Sequence, residues 1–202
     1  MHRQNEPHGP HQEEANLRHR LVAAGAELVA SEGAQALTLR EIARRAGVSH
    51  GAPRRYFPTH LSLLSAIARE GFAGLSDRVA EAVADAPGAR AALQALARAY
   101  VGFARAHPGM FELMFRHDLL KSDQLGLRET SLPLFATLVD LVAHVRPRPA
   151  AEPAVVAGAL WANLHGIAQL RAWGSLQLAT GTDDAEPLLR AALDAHLGPE
   201  PR

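Results

Sequence analysis

Arg40, Arg44, Arg45, Arg54 and Arg55 all fall between Thr38 and His60, where Glu41 is the only acid. The stretch therefore carries +4 before its histidines are counted, inside a chain whose 21 Lys+Arg balance 21 Asp+Glu. Adjacent pairs such as Arg44-Arg45 and Arg54-Arg55 cannot both turn into a core, so part of this charge must face solvent. Lys121 is the only lysine, so the cationic surface is built almost wholly from guanidinium forks, which meet phosphate oxygens and guanine edges two bonds at a time. Positive charge focused on one short segment of a neutral protein is the electrostatic footprint of a DNA-phosphate contact. Overall neutrality argues against indiscriminate binding of polyanions.

Other chemistries lack their residues. There are no cysteines, which removes disulfides, thiol nucleophiles and thiolate metal sites. No glutamate is followed three residues later by histidine, so a helical di-metal carboxylate centre is not expected. A His-Glu-x-x-His zinc motif, a phosphate-binding loop and a Gly-x-Ser-x-Gly elbow are also missing. Catalysis, a cofactor and a metal are therefore not expected. His2, His8 and His11 could catch a metal ion, but with Pro7, Gly9 and Pro10 among them they read as a solvated tail over residues 1–13. Met1–Gln12 has no apolar core and is not a secretory signal. No apolar run approaches the roughly 18 residues of a membrane span. A cytoplasmic protein is expected.

The elements that carry the arginines are short helices. Leu17, Leu21, Ala24 and Leu28 mark one face of a first helix over about 14–32. Thr38 with Glu41 three residues on reads as a capping box, and Leu37 with Ile42 as the accompanying staple. A helix over 39–46 must start there, and Gly47 must stop it. Gly47-Val48-Ser49 then makes a tight turn into a second short segment that ends before Pro58. Small Ala43 and Ala46 let the two helices approach, giving a helix-turn-helix. Ser49 can cap the second helix and offer a hydroxyl to phosphate. If His50 is the cap instead, Pro53 stays in the first turn, where proline is tolerated. Gly51 weakens the segment by roughly 1 kcal/mol relative to Ala, so this helix is expected to be loosely held until DNA orders it.

Beyond Thr59 the pattern stays helical: 59–86, 89–107, 110–116, 123–146, 154–175 and 184–197. Pro133 is expected to disturb the fourth of these, and residues 145–153 read as a loop. No segment alternates with period two. The fold class is all-α, about nine helices, with a helix-turn-helix domain over 14–60 and a helical regulatory and dimerisation domain over 61–197.

Leu37-Thr38-Leu39-Arg40-Glu41-Ile42-Ala43, then Ala46-Gly47-Val48-Ser49, Tyr56-Phe57-Pro58 and Leu63-Leu64 resemble the DNA-binding domain of the TetR family of bacterial transcriptional regulators. The resemblance covers residues 17–67. A weaker one, through His107-Pro108-Gly109-Met110-Phe111 and Trp161-x-x-x-His165-Gly166, is to a subgroup of that family. The family resemblance implies that Thr38 contacts phosphate and that Arg40 touches base or backbone. Ser49–Tyr56 would be the recognition helix, with His50, Gly51, Ala52, Arg54 and Arg55 facing DNA. Tyr56 and His60 stand where the family places phosphate-binding side chains. Pro53 departs from the pattern, and Arg54 stands where tyrosine is common.

A lone helix-turn-helix binds weakly, and bacterial readers pair two copies across a palindrome. The helices over 154–175 and 184–197 are the candidate homodimer surface, through Leu160, Leu164, Ile167, Leu189 and Leu193. The resemblance agrees, since the family's last two helices form a four-helix bundle between subunits. Tyr100, Phe103, Met110, Phe111, Met114, Phe115, Trp161 and His165 could line a pocket for a small apolar ligand, although the same pattern suits plain core. The resemblance implies a repressor released from its operator when ligand changes the spacing of the recognition helices, with the long helix after Thr59 as lever. The alternative is a DNA-binding dimer without inducer, whose C-terminal domain serves only dimerisation or protein contacts.

Overall fold

The computed structural model describes residues 10–116, 118–119, 126–145 and 151–199. Among these there are ten α-helices, one 3-10 turn and no strand. Helix α1 spans Pro10–Glu32, so residues 10–13, expected as tail, are helical, while 1–9 with His2 and His8 lie outside the described residues. After the 3-10 turn Ala34–Ala36 come α2 (Leu39–Arg45) and α3 (Ala52–Tyr56). Leu21, Leu28, Ile42, Phe57, Leu63 and Ile67 close a core beneath them, each at most 1% exposed. Gly47 takes the left-handed conformation the turn requires (φ 66). The guanidinium of Arg20, on α1, donates to the Ala46 carbonyl at 2.5 Å, satisfying the end of α2 with a cation.

Helix α4 (His60–Ala84) starts on a complete capping box: Thr59 Oγ1 accepts from the Ser62 amide at 3.0 Å, and Ser62 Oγ accepts from the Thr59 amide at 3.2 Å. It packs on α1 and also on α5 (Ala89–Ala106), α6 (Pro108–Met114) and α7 (Leu127–Val145). One helix thus serves both halves of the chain. Helix α6 rests on the end of α1, and only glycine permits the approach. A Cβ on Gly109 would lie 2.8 Å from the Val29 carbonyl oxygen and 3.1 Å from the Gly33 Cα.

Helix α7 runs through Pro133 without a break, contrary to the expected irregularity; the Pro133 carbonyl accepts from Thr137 Oγ1 at 3.1 Å. Helix α8 (Pro153–Ala172) is followed by a short α9 (Ser175–Thr180) that was not expected, set between left-handed Gly174 and Gly181. The last helix, α10 (Glu186–Leu197), is tied to α5 by a two-pronged Arg98–Glu186 pair at 2.8 and 2.5 Å and by Arg90, which binds Asp194 and the Gly198 carbonyl. No described helix is long and apolar enough to cross a membrane.

Candidate nucleic-acid interface and ligand cavity

Thr38 caps α2, its Oγ1 accepting from the Glu41 amide at 3.2 Å. The return half of the expected box does not form. The Thr38 amide donates to the Ala36 carbonyl at 2.8 Å, and the Glu41 carboxylate turns to Arg44 (2.8 and 2.5 Å) and Arg45 (3.3 Å). The Arg44 hydrogen bonds, helped by Arg45, hold the Glu41 carboxyl down at about 2. Arg45 also binds Ser31 at 3.2 Å and the Glu32 carboxylate. Two of the five arginines therefore spend their charge within the protein. Arg40, Arg54 and Arg55 are exposed and make no ion pair among the described residues.

Helix α3 is a single turn and a fraction. Neither Ser49 nor His50 caps it: Gly51 precedes it without a side-chain bond, and the Ser49 carbonyl accepts from the Ala52 amide at 3.0 Å. Pro53 falls in the first turn, where its missing amide costs nothing. Its ring is buried, and its carbonyl accepts from the Phe57 amide at 2.8 Å. Thr38, Arg40, Ser49, His50, Gly51, Arg54 and Arg55 are exposed on this hairpin, with Ala52 and Tyr56 half-buried. Thr38 keeps a hydroxyl hydrogen free for a phosphate oxygen. His60 is exposed, but one ring nitrogen is already engaged: Nε2 donates to the Leu37 carbonyl at 2.8 Å, bracing α4 against the entry to α2. Sequence reasoning missed this strut, the Arg20 contact and Arg18, whose guanidinium lies 5.4 Å from the Phe57 ring centre.

So short an uncapped helix has little to resist local opening. In free protein the amides of residues 54–57 should exchange far faster than those of α1, and they should gain protection when operator DNA is added. Protection matching α1 without DNA would show a preformed reading head.

A cavity of about 450 Å³ lies between α4, α5, α7 and α8. Of the eight residues expected to form a pocket, Tyr100, Phe115 and Trp161 line it. Phe111 and Met114 do not; they are packed into solid core at 4% and 0% exposure. Phe103 and Met110 border a separate groove where α1, α4 and α6 meet. His165 acts behind the wall. Trp161 Nε1 donates to the Tyr100 hydroxyl at 3.1 Å, and the hydroxyl reaches His165 Nδ1 at 2.9 Å. The Tyr100 hydroxyl thus joins the indole and the imidazole in one hydrogen-bonded row. Burial lowers the His165 pKa and raises that of Tyr100, which agrees with both groups being uncharged. Phe72, Leu96, Phe135 and Gly158 also belong to the wall and were not foreseen.

The expected dimer residues need correction. Leu160, Leu164, Leu189 and Leu193 are 0–4% exposed within a single chain, and Ile167 is half-buried. They form the inner face of α8 and α10, against α5. The outer face of α8 carries Val155, Ala159, Ala162, Gly166 and Leu170, continued by Trp173; apart from half-buried Gly166 all are exposed.

Residues 21–67 match the family model for bacterial regulatory proteins of the TetR family, and residues 93–196 match the model for the tetracyclin repressor-like C-terminal domain. Among solved structures, a protein of unknown function from Rhodococcus sp. RHA1 is 32% identical over 96% of this chain and 97% of its own, with a TM-score of 0.76. A putative regulatory protein, SCO4313, is 25% identical over 95% and 100%, at 0.69. A multidrug binding protein, EbrR, complexed with imidazole, is 25% identical over 99% of each chain, at 0.66. No curated protein matches the sequence.

Proposed function

The chain belongs to the TetR family of DNA-binding transcriptional regulators, and from that premise we propose that it is a homodimeric, cytoplasmic repressor of a palindromic operator, released by a small apolar molecule. The observation that carries the DNA reading is the trio Arg40, Arg54 and Arg55, exposed and without ion-pair partners among the described residues, beside a helix anchored by buried Pro53 and Phe57. Thr38, Ser49 and Tyr56 contribute hydroxyl groups to phosphate, and His50, Gly51 and Ala52 approach the groove beside the arginines. Two such hairpins, one per subunit, would read half-sites roughly 34–36 Å apart.

The cavity supports the ligand half of the reading over a purely structural C-terminal domain. Its α4 wall, Phe72 and Val79, belongs to the helix that begins three residues after Phe57. Occupation of the cavity is thereby coupled to the hairpin, and ligand favours whichever hairpin spacing suits the filled state. Selection of duplexes from a random pool, followed by sedimentation, tests the proposal. It requires an inverted-repeat consensus bound by two chains. A non-repeating consensus bound by one chain would overturn it.

A further inference from the structure

The chain has ten aromatic residues, and five of them line the one cavity between α4 and α8: Phe72, Tyr100, Phe115, Phe135 and Trp161. Their rings touch in series. Phe72 meets Phe115 edge-on at 5.5 Å, Phe115 lies 6.3 Å from Trp161, and Trp161 meets Phe135 edge-on at 6.3 Å. Rings in such an arc stack or abut a flat ligand with little loss of side-chain freedom.

The polar inventory is equally restrictive. Among the described residues, no Asp, Glu, Lys, Arg or His lines the cavity. Of the described lining, only Ser131, Tyr100 and Trp161 bring polar side-chain atoms. The Tyr100 hydroxyl is engaged on both sides, accepting from Trp161 and hydrogen-bonded to His165, and the Trp161 N–H is committed to Tyr100. That leaves the Ser131 hydroxyl, which makes no hydrogen bond among the described residues, as the polar group of the described lining that is available to orient a guest. A cation entering here would exchange its hydration for ring faces, with no carboxylate in the described lining to balance it, and an anion would find no cation there.

We propose that this cavity is specific for uncharged, planar aromatic compounds bearing at most one hydrogen-bonding group, which is placed against Ser131. The inference rests on the ligand-responsive reading above and narrows it to a chemical class.

Three fluorescent aromatic probes that differ in charge test it on the full-length protein: neutral N-phenyl-1-naphthylamine, anionic 8-anilinonaphthalene-1-sulfonate and cationic ethidium. The neutral probe should bind at one per chain and at least tenfold more tightly than either ion. Tighter binding of ethidium or of the sulfonate would overturn the assignment while leaving a ligand-binding protein. 2-Naphthol should displace the bound probe at lower concentration than 1-dodecanol; the reverse order would overturn the planar, aromatic part. A Cβ built on Gly158 meets nothing within 4 Å, so Gly158→Leu extends into free space and should weaken the neutral probe at least tenfold without loss of cooperative unfolding. Unchanged probe binding in that variant would place the probe elsewhere and refute the site. Release of selected operator duplex is read separately. A probe that binds as stated but leaves DNA bound refutes the switch and keeps the chemical class.

Discussion

Replacing Arg54 and Arg55 with alanine should abolish specific operator binding while leaving the dimer and its thermal unfolding in place. Both side chains are exposed and neither makes an ion pair among the described residues. Folding therefore loses no partner, and surface changes of this kind stay within about 0.5 kcal/mol. Binding loses far more. A bidentate arginine–guanine contact discriminates by roughly 1–3 kcal/mol. One such contact in each of two subunits doubles that to about 2–6 kcal/mol, a loss of tens-fold to ten-thousand-fold at 1.4 kcal/mol per decade. The single variants separate the roles. If Arg54 reads a base, Arg54→Ala relaxes preference at one position of each half-site and leaves the salt dependence alone. If it grips phosphate, affinity falls for all sequences and the slope of log K against log salt becomes shallower by about 0.9 per contact. Gel shifts on the selected duplex at several salt concentrations measure both. A double variant that retains wild-type affinity, or one that no longer dimerises, would disprove the division of labour between the two ends of the molecule.

Arg44 and Arg45 would not behave this way, and the difference marks how far sequence reasoning reached. The charge count over Thr38–His60 treated five arginines alike. Glu41 stands three and four residues before Arg44 and Arg45, the spacing at which helical side chains meet, and the structure pairs them. The cap at Thr38, the turn at Gly47 and the start of α4 at Thr59 were legible because each depends on neighbours within four residues. The strut from His60 to the Leu37 carbonyl joins positions far apart in sequence, which no local pattern reveals. The cavity failed for a related reason. Met110, Phe111, Met114 and Phe115 repeat at helical spacing, but only packing decides which face a helix turns to a void. Met114 instead fills the space beside Gly71, where a Cβ would lie 2.7 Å from its sulfur. Of the four only Phe115 reaches the cavity, where Phe72 and Phe135, on other helices, join it.

Helix α8 exposes the same limit and leads to the second large effect, Gly166→Arg. Apolar on several faces, α8 has one stripe for its own core and one for something else, and periodicity alone does not say which is which. The structure assigns Val156, Leu160, Leu164 and Ala168 inward. The outward stripe places large side chains at its ends, Val155 at 64% exposure and Trp173 at 70%, with Ala159, Ala162 and Gly166 between them. Small residues in the middle let a second helix come close, and interhelical distance is set by the side chains at the crossing. If the two copies meet along this stripe, it faces itself across the twofold axis, and a substitution there acts twice. A Cβ on Gly166 meets nothing within 4 Å in the single chain, so the subunit should still fold. Across the interface the variant would bury two like charges with no counter-ion, at several kcal/mol each. The dimer dissociation constant should rise at least a thousandfold, read by sedimentation at micromolar protein. Operator affinity should collapse with it, because one subunit reaches one half-site, although the hairpin and its arginines are untouched. A variant that remains dimeric at nanomolar concentration would mean that the two copies meet through another surface.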